Sequence, residues 1–287
     1  MKTFFSGLAV FATVVLTGTS TVWAAQIERR NSEVHITGYI EAGDDKLFEK
    51  TLEETTKQVE IKSHGGARSA ALRIAFMIQQ RDLAVRVREV CTDECADLIF
   101  SASRHRSTGP DAVLGFTGAS VAAATAEYIA AWRRFCDTYD TPECMKMASS
   151  MEKYLLSFDS LTVQLHQALG RDRLFMDREI ALITRPPREG LRMYVNVADG
   201  EPGIIMRTKL LAKCHYWVPD NAGLVSFGVA LENGQRYELP QSAGLIREQL
   251  GLSGDDYYAG DLFDLAAIQR KCGISLRITP EGAEEVE

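Results

Sequence analysis

Between residues 33 and 116, short apolar strands alternate with helical segments, and this rhythm restricts the fold more than any other feature of the chain. EVHITGYI alternates with a period of two, and DDKLFEKTLEETT follows with helical spacing and an acidic first turn. QVEIK then reads as a strand, 67–80 as a helix, LAVRVREV as a strand, 93–103 as a helix and AVLGF as a strand. Strands separated by helices cannot pair as tight hairpins, because each helix carries the chain back along the sheet before the next strand begins. The pattern predicts an α/β fold with a mostly parallel, buried sheet.

The rest of the chain reads differently. Residues 120–170 carry a helical pattern broken near Asp140, where Thr141 suits a cap and Pro142 a first helical turn. This helical layer either packs within the chain or assembles a homo-oligomer. The stretch 184–190, TRPPREG, has the composition of a linker. Beyond it LRMYVNV, KCHYWV and GLVSFGVAL read as strands, and Glu232-Asn233-Gly234-Gln235 as a hairpin turn. Helices are expected over 241–250 and 261–271, with Gly273 as the stop, and ISLRI as a last strand. The expected division is therefore 1–24, 25–187, a small α+β region over 188–280, and an acidic, unstructured tail over 281–287.

Charge and cysteine usage narrow the function classes. Lys2, the apolar run from Phe4 to Leu16, and Val22 and Ala24 before a cleavage point have the form of a secretory signal. Cleavage near Ala24 would place the mature protein in the periplasm or outside the cell. No later stretch is long enough to span a bilayer. A formal net charge of −7 argues against nucleic acid as the main partner, and the Arg104-His105-Arg106 cluster reads as a solvated loop. All six cysteines follow residue 90, and their spacing suggests Cys91 with Cys95, Cys136 with Cys144, and Cys214 with Cys272. Six cysteines permit 15 connectivities, so this pairing is one among several. No CxxC pair or histidine-rich cluster indicates a metal, and no cofactor signature is present.

The candidate chemistry lies in three stretches of the first block: VEIKSHGGAR, EVCTDEC and GPDAVLGFT. Their layout resembles the proteolytic subunit of the Clp protease, within the wider crotonase-like superfamily, and most of all its secreted, cysteine-containing branch. The resemblance spans about residues 33–187. It implies a repeated β-β-α core and helices that assemble subunits into rings. His64-Gly65-Gly66 stands at the family's Pro-Gly-Gly turn, where Gly65 and Gly66 would supply backbone N–H groups of an oxyanion hole. Cys91-Thr92-Asp93-Glu94-Cys95 stands at its Cys-x-Ser-x-Cys block, so Asp93 occupies the serine slot. Arg106, Pro110 and Thr117 follow at matching intervals, which puts Thr117 where the family has its histidine base. Asp172, in GRDRLFMDREIAL, matches the third triad member with one residue inserted nearby.

A serine hydrolase needs an oxygen nucleophile and an imidazole of near-neutral pKa to take its proton. Asp93 and Thr117 supply neither, so the resemblance implies a pseudoenzyme that binds a peptide or protein in its cleft without cleaving it. One alternative is an active hydrolase with a rewired site, in which Thr92, one residue out of register, is activated by His64, or Asp93 acts directly. A second alternative is a structural, oligomeric scaffold. Carboxylates at this helix start can also serve as acids and bases in crotonase-like enzymes, although no coenzyme A signature is visible. Asp93 and Glu94 equally suit a helix N-terminus with no chemistry at all.

Overall fold

A computed structural model describes residues 25–118, 133, 136, 142–169, 180, 184, 193–196, 205–208, 214–274, 276–279 and 282–285. Its main sheet has six strands. The polar stretch ahead of residue 33, which shows no strand periodicity, nevertheless forms β1 (Gln26–Arg30). It pairs antiparallel with β2 (Glu33–Thr37) across a turn at Asn31, which adopts a φ of 59°. From β2 onward every pairing in this sheet is parallel: β2 with β3 (Gln58–Ser63), and β3 with β4 (Ala84–Thr92). Helices α1 (Asp44–Thr51) and α2 (Arg68–Gln80) make the two crossovers.

The far edge of β4 is shared by two short strands. β5 (Arg106–Thr108) lies beside Val85–Val87, and β6 (Val113–Gly115) beside Val90–Thr92. The chain steps outward between them at Asp111, with φ 58°.

One face of the sheet is the core. Val34, Ile36, Val59, Ile61, Val85 and Val87 are all fully buried, in the same cluster as Ala70, Ala71, Ile74, Ala75 and Ile78 of α2. Burying each large aliphatic side chain contributes roughly 1.5–3 kcal/mol. The opposite face is not buried, contrary to the expectation from the strand–helix alternation. There Glu60 sits 3.3 Å from His35 Nδ1, 3.7 Å from Arg86 and 4.0 Å from Arg88. The cause is visible in the strands themselves, since QVEIK and LAVRVREV place charged residues at every second position.

The C-terminal region adds α4 (Pro142–Ala168), which begins at the proline as expected, and an antiparallel pair of β7 (Met193–Asn196) with β8 (Ile205–Thr208). β9 (Tyr216–Val218) and β10 (Tyr257–Ala259) pair in parallel. GLVSFGVAL is not a strand. Asp220 Oδ1 accepts the Gly223 N–H at 2.7 Å and starts α5 (Asn221–Ser226), so a cap overrides the apolar pattern. Asn233 and Gly234 take the left-handed dihedrals of a tight turn, with φ 56° and 69°, but no strands flank them. α6 (Ala243–Leu250) and α7 (Leu265–Cys272) are capped by Ser242 and Asp264, and Gly273 ends the latter with φ 73°. In the expected unstructured tail, β12 (Gly282–Glu285) pairs with β11 (Leu276–Thr279).

Trp217 ties this region to the main sheet. Fully buried, it exchanges backbone hydrogen bonds of 2.8 and 2.9 Å with Phe116, just beyond β6, and its indole N–H donates to Gly260 O. Its ring centroid lies 5.5 Å from that of Phe116 and 4.5 Å from that of Phe227. The disulfides are Cys91–Cys95, Cys136–Cys144 and Cys214–Cys272, the pairing that the spacing suggests. Among the described residues no helix is long and apolar enough to cross a membrane.

Candidate functional site

The site forms where β4 ends. Asp93 turns the chain out of the strand in the left-handed region, φ 56°, a conformation that aspartate tolerates better than most residues. Its N–H donates to Gly115 O at 2.9 Å, and its carbonyl accepts from Asp97 N–H at 2.8 Å, which begins the following helix. That helix, α3 (Cys95–Phe100), is π-helical, and the Cys91–Cys95 disulfide closes the turn before it. Asp97, only 3% exposed, faces Asp93 across the Thr117 hydroxyl.

Thr117 Oγ1 lies 2.7 Å from Asp93 Oδ1 and 2.8 Å from Asp97 Oδ2. A threonine hydroxyl carries one hydrogen, which can serve either acid or be shared between the two in a three-centre bond. Burial pushes Asp93 above the usual carboxylate range, against the opposing effects of the Thr117 hydrogen bond and the Arg68 charge.

The glycine turn is already occupied. Gly65 N–H donates to Ser63 Oγ at 3.1 Å, and Gly66 N–H donates to Glu94 Oε2 at 3.1 Å. A free pair of donors, which an oxyanion hole requires, is not on offer. The turn cannot hold larger residues. Gly65 has φ 85° and Gly66 φ 138°, and a Cβ on Gly66 would lie 2.1 Å from Ile40 O. A Cβ on Gly65 would meet Asp93 Cβ at 2.8 Å and Glu94 Oε2 at 2.9 Å, so these two acids pack directly against the turn. Burial, with Asp93 and Asp97 close by, pushes Glu94 up to about 7 even though the Gly66 N–H stabilises its anion.

The remaining residues assemble around this cluster without completing a triad. His64 stacks on Tyr39 with ring centroids 5.6 Å apart, and burial followed by the Lys62 charge lowers its pKa. Among the described residues no histidine ring is hydrogen-bonded to Thr92 or Thr117. Thr92 is fully buried and lies beside the Tyr216 hydroxyl, within electrostatic reach but outside hydrogen-bond geometry. Burial and the nearby Asp93 push Tyr216 up to about 12, which leaves it protonated at neutral pH. Asp172 lies outside the described residues. Arg106, carried over from the resemblance, is buried and donates to the Ala230 and Gly228 carbonyls, a role in holding the chain. Among the described residues no group of histidine, cysteine and acidic side chains is suited to a metal ion.

Two members of the cluster escape a reading of the sequence. Asp97 follows Asp93 by four residues, and its N–H bonds the Asp93 carbonyl, which brings the two acids to the same side of the helix start. Tyr216 arrives from a strand about a hundred residues later; the Tyr216-Trp217 pair reads as core aromatics or a groove lining, and nothing local links it to Asp93.

No protein-family model and no curated protein matches the chain. Among solved structures it is similar to an enoyl-CoA hydratase from Thermoplasma volcanium, with 15% identity and a TM-score of 0.27 over 54% of this chain and 95% of that one. It is also similar to a member of the enoyl-CoA hydratase/isomerase family, with 14% identity and a TM-score of 0.27 over 58% and 92%. Scores of this size support no inference about chemistry. The chain has a mixed α/β fold with a mostly parallel sheet and flanking helices.

Proposed function

We propose that this chain is an exported pseudoenzyme of Clp-protease-like descent that binds a peptide or protein without cutting it. One observation carries the non-catalytic half of the reading: the Glu94 carboxylate sits on the Gly66 N–H, where a substrate oxygen would have to lie. Beside it, the Thr117 hydroxyl is held between two acids rather than beside an imidazole. With that donor taken, a tetrahedral intermediate on an amide finds no oxyanion hole at the glycine turn. Three disulfides suit an oxidising compartment and so support export.

The occupied Gly66 N–H favours a second reading, an oligomeric scaffold, because that donor is satisfied from within the chain. A rewired enzyme would have to work through Glu94, whose pKa near neutrality suits proton transfer. One set of measurements separates the three. Purified mature protein is offered labelled, unfolded casein and a panel of activated esters, with Thr92→Ala, Asp93→Ala and Glu94→Gln alongside. The expected outcome is saturable casein binding with no turnover above the blank. Turnover abolished by any of the three substitutions would establish an enzyme. Neither binding nor turnover, together with a multi-subunit mass in sedimentation, would establish the scaffold.

A further inference from the structure

Away from the glycine turn, and independent of any role for it, the segment after α5 closes over the edge of the main sheet. β5 is an edge strand of that sheet. Val85 N–H donates to His105 O at 2.8 Å, and Gly109 N–H to Val87 O at 2.7 Å. Alternate residues of a parallel strand point to its partner, so His105, Ser107 and Gly109 face β4 while Arg106 and Thr108 face away. The outward Thr108 carbonyl accepts from Gln235 Nε2 at 3.0 Å, and the Arg106 guanidinium donates to Ala230 O at 3.2 Å. The segment is anchored at Leu231 and Tyr237, both buried, and 232–236 between them is exposed. Gln235 N–H closes this tip on Glu232 O at 3.0 Å.

One histidine ties the tip down. His105 Nδ1 lies 2.8 Å from Glu232 Oε1, and Nε2 lies 3.4 Å from Asp82 Oδ2 in the turn between α2 and β4. Ionised carboxylates accept hydrogen bonds and do not donate them, so filling both contacts takes a hydrogen on each ring nitrogen. Only the imidazolium carries two. A neutral ring serves one acid and turns a lone pair to the other. The neighbouring cations are directed elsewhere. Arg104 donates to Ala168 O, Arg106 to the Ser103, Gly228 and Ala230 carbonyls, and Arg81 to Glu53 O. The Glu232 hydrogen bond, with the Glu232 charge and Asp82 behind it, raises the His105 pKa against the opposing effect of burial.

We propose that His105 is a proton-operated clasp, whose charged form joins the turn at Asp82 to the tip at Glu232 and so keeps that tip over the outer edge of β5. Loss of the proton removes one of the two links and the attraction for both acids. The stabilisation is complete below the ordinary histidine value of 6.5 and is lost as pH rises through the raised one. Solvent screens these partly exposed contacts, so the effect is small. The buried anchors at Leu231 and Tyr237 hold in either state, which confines the opening to 232–236.

The test reads solvent exchange of the Gln235 amide by NMR, in the full mature chain with its disulfides intact, at about pH 5.5 and about pH 8. Each rate is divided by its intrinsic value. Protection of Gln235 is expected to be about two- to fivefold greater at the lower pH. His105→Gln is expected to abolish that difference. Glu94 titrates in the same range, and His105→Gln retains it, so any contribution from Glu94 would persist in the variant. The His105 ring signals are titrated alongside, with a midpoint expected above 6.5 that falls in Glu232→Gln and falls less in Asp82→Asn. Equal protection at the two pH values in the parent, or a difference that persists in His105→Gln, would overturn the proposal. So would a His105 midpoint at or below 6.5, or one that Glu232→Gln leaves unmoved.

Discussion

Burial beside Asp93 and Asp97 pushes Glu94 up to about 7, and this makes the stability of the fold depend on pH in a defined direction. In the unfolded chain Glu94 ionises near the ordinary glutamate value of 4.5, so between the two values the folded state holds a proton that the unfolded state has lost. The stabilisation is complete below about 4.5 and is lost as pH rises through about 7. Glu94→Gln keeps an acceptor for Gly66 N–H and removes the ionisation. It is expected to match the parent at pH 5 and to exceed it by about 2 kcal/mol at pH 8, measured by urea unfolding at both values. Gly66→Ala tests the turn itself. The added Cβ would lie 2.1 Å from Ile40 O, and the backbone there cannot yield, so a loss of about 3 kcal/mol or more is expected by the same assay. The glycine pair was readable in the sequence as a special turn, because only glycine tolerates φ 138° against a neighbouring carbonyl. That its donors are filled from within was not readable. The bond runs from Gly66 to Glu94, 28 residues away, and depends on the rotamer of one side chain.

At the scale of elements, the disulfides divide the work unequally. Cys91–Cys95 closes a separation of four residues and Cys214–Cys272 one of 58. Chain entropy alone gives about 2 kcal/mol for the first and about 4 kcal/mol for the second. Cys214→Ala with Cys272→Ala should therefore lower the urea midpoint about twice as far as Cys91→Ala with Cys95→Ala. The shorter bridge should show its effect instead near Asp93, as faster amide exchange in α3. Strands β2, β3, β4 and β6 and helix α2 were legible because their apolar period matches their burial. β1 was hidden because Ile27 is its one buried residue, and α5 because its cap outweighs an apolar run that resembles a strand. Both cases show pairing and capping deciding what hydrophobic pattern leaves undecided.

For the whole molecule, the main sheet and the C-terminal region share one apolar core, with Trp217 at their junction. Trp217→Ala is expected to cost about 3–5 kcal/mol. The loss should appear in a single unfolding transition, seen at the same midpoint by tryptophan fluorescence and far-ultraviolet dichroism. Two separated transitions would mean that the two regions fold independently. The junction was not legible, since Phe116 and Trp217 are far apart in sequence and neither carries a local signal of the other. The buried end of β4 has an effect that reaches the charge of the molecule as a whole. The formal value of −7 counts every aspartate and glutamate as ionised, yet burial holds Glu94 near 7. Glu94→Gln should therefore shift the electrophoretic mobility at pH 7 by about half of what losing a fully ionised carboxylate would.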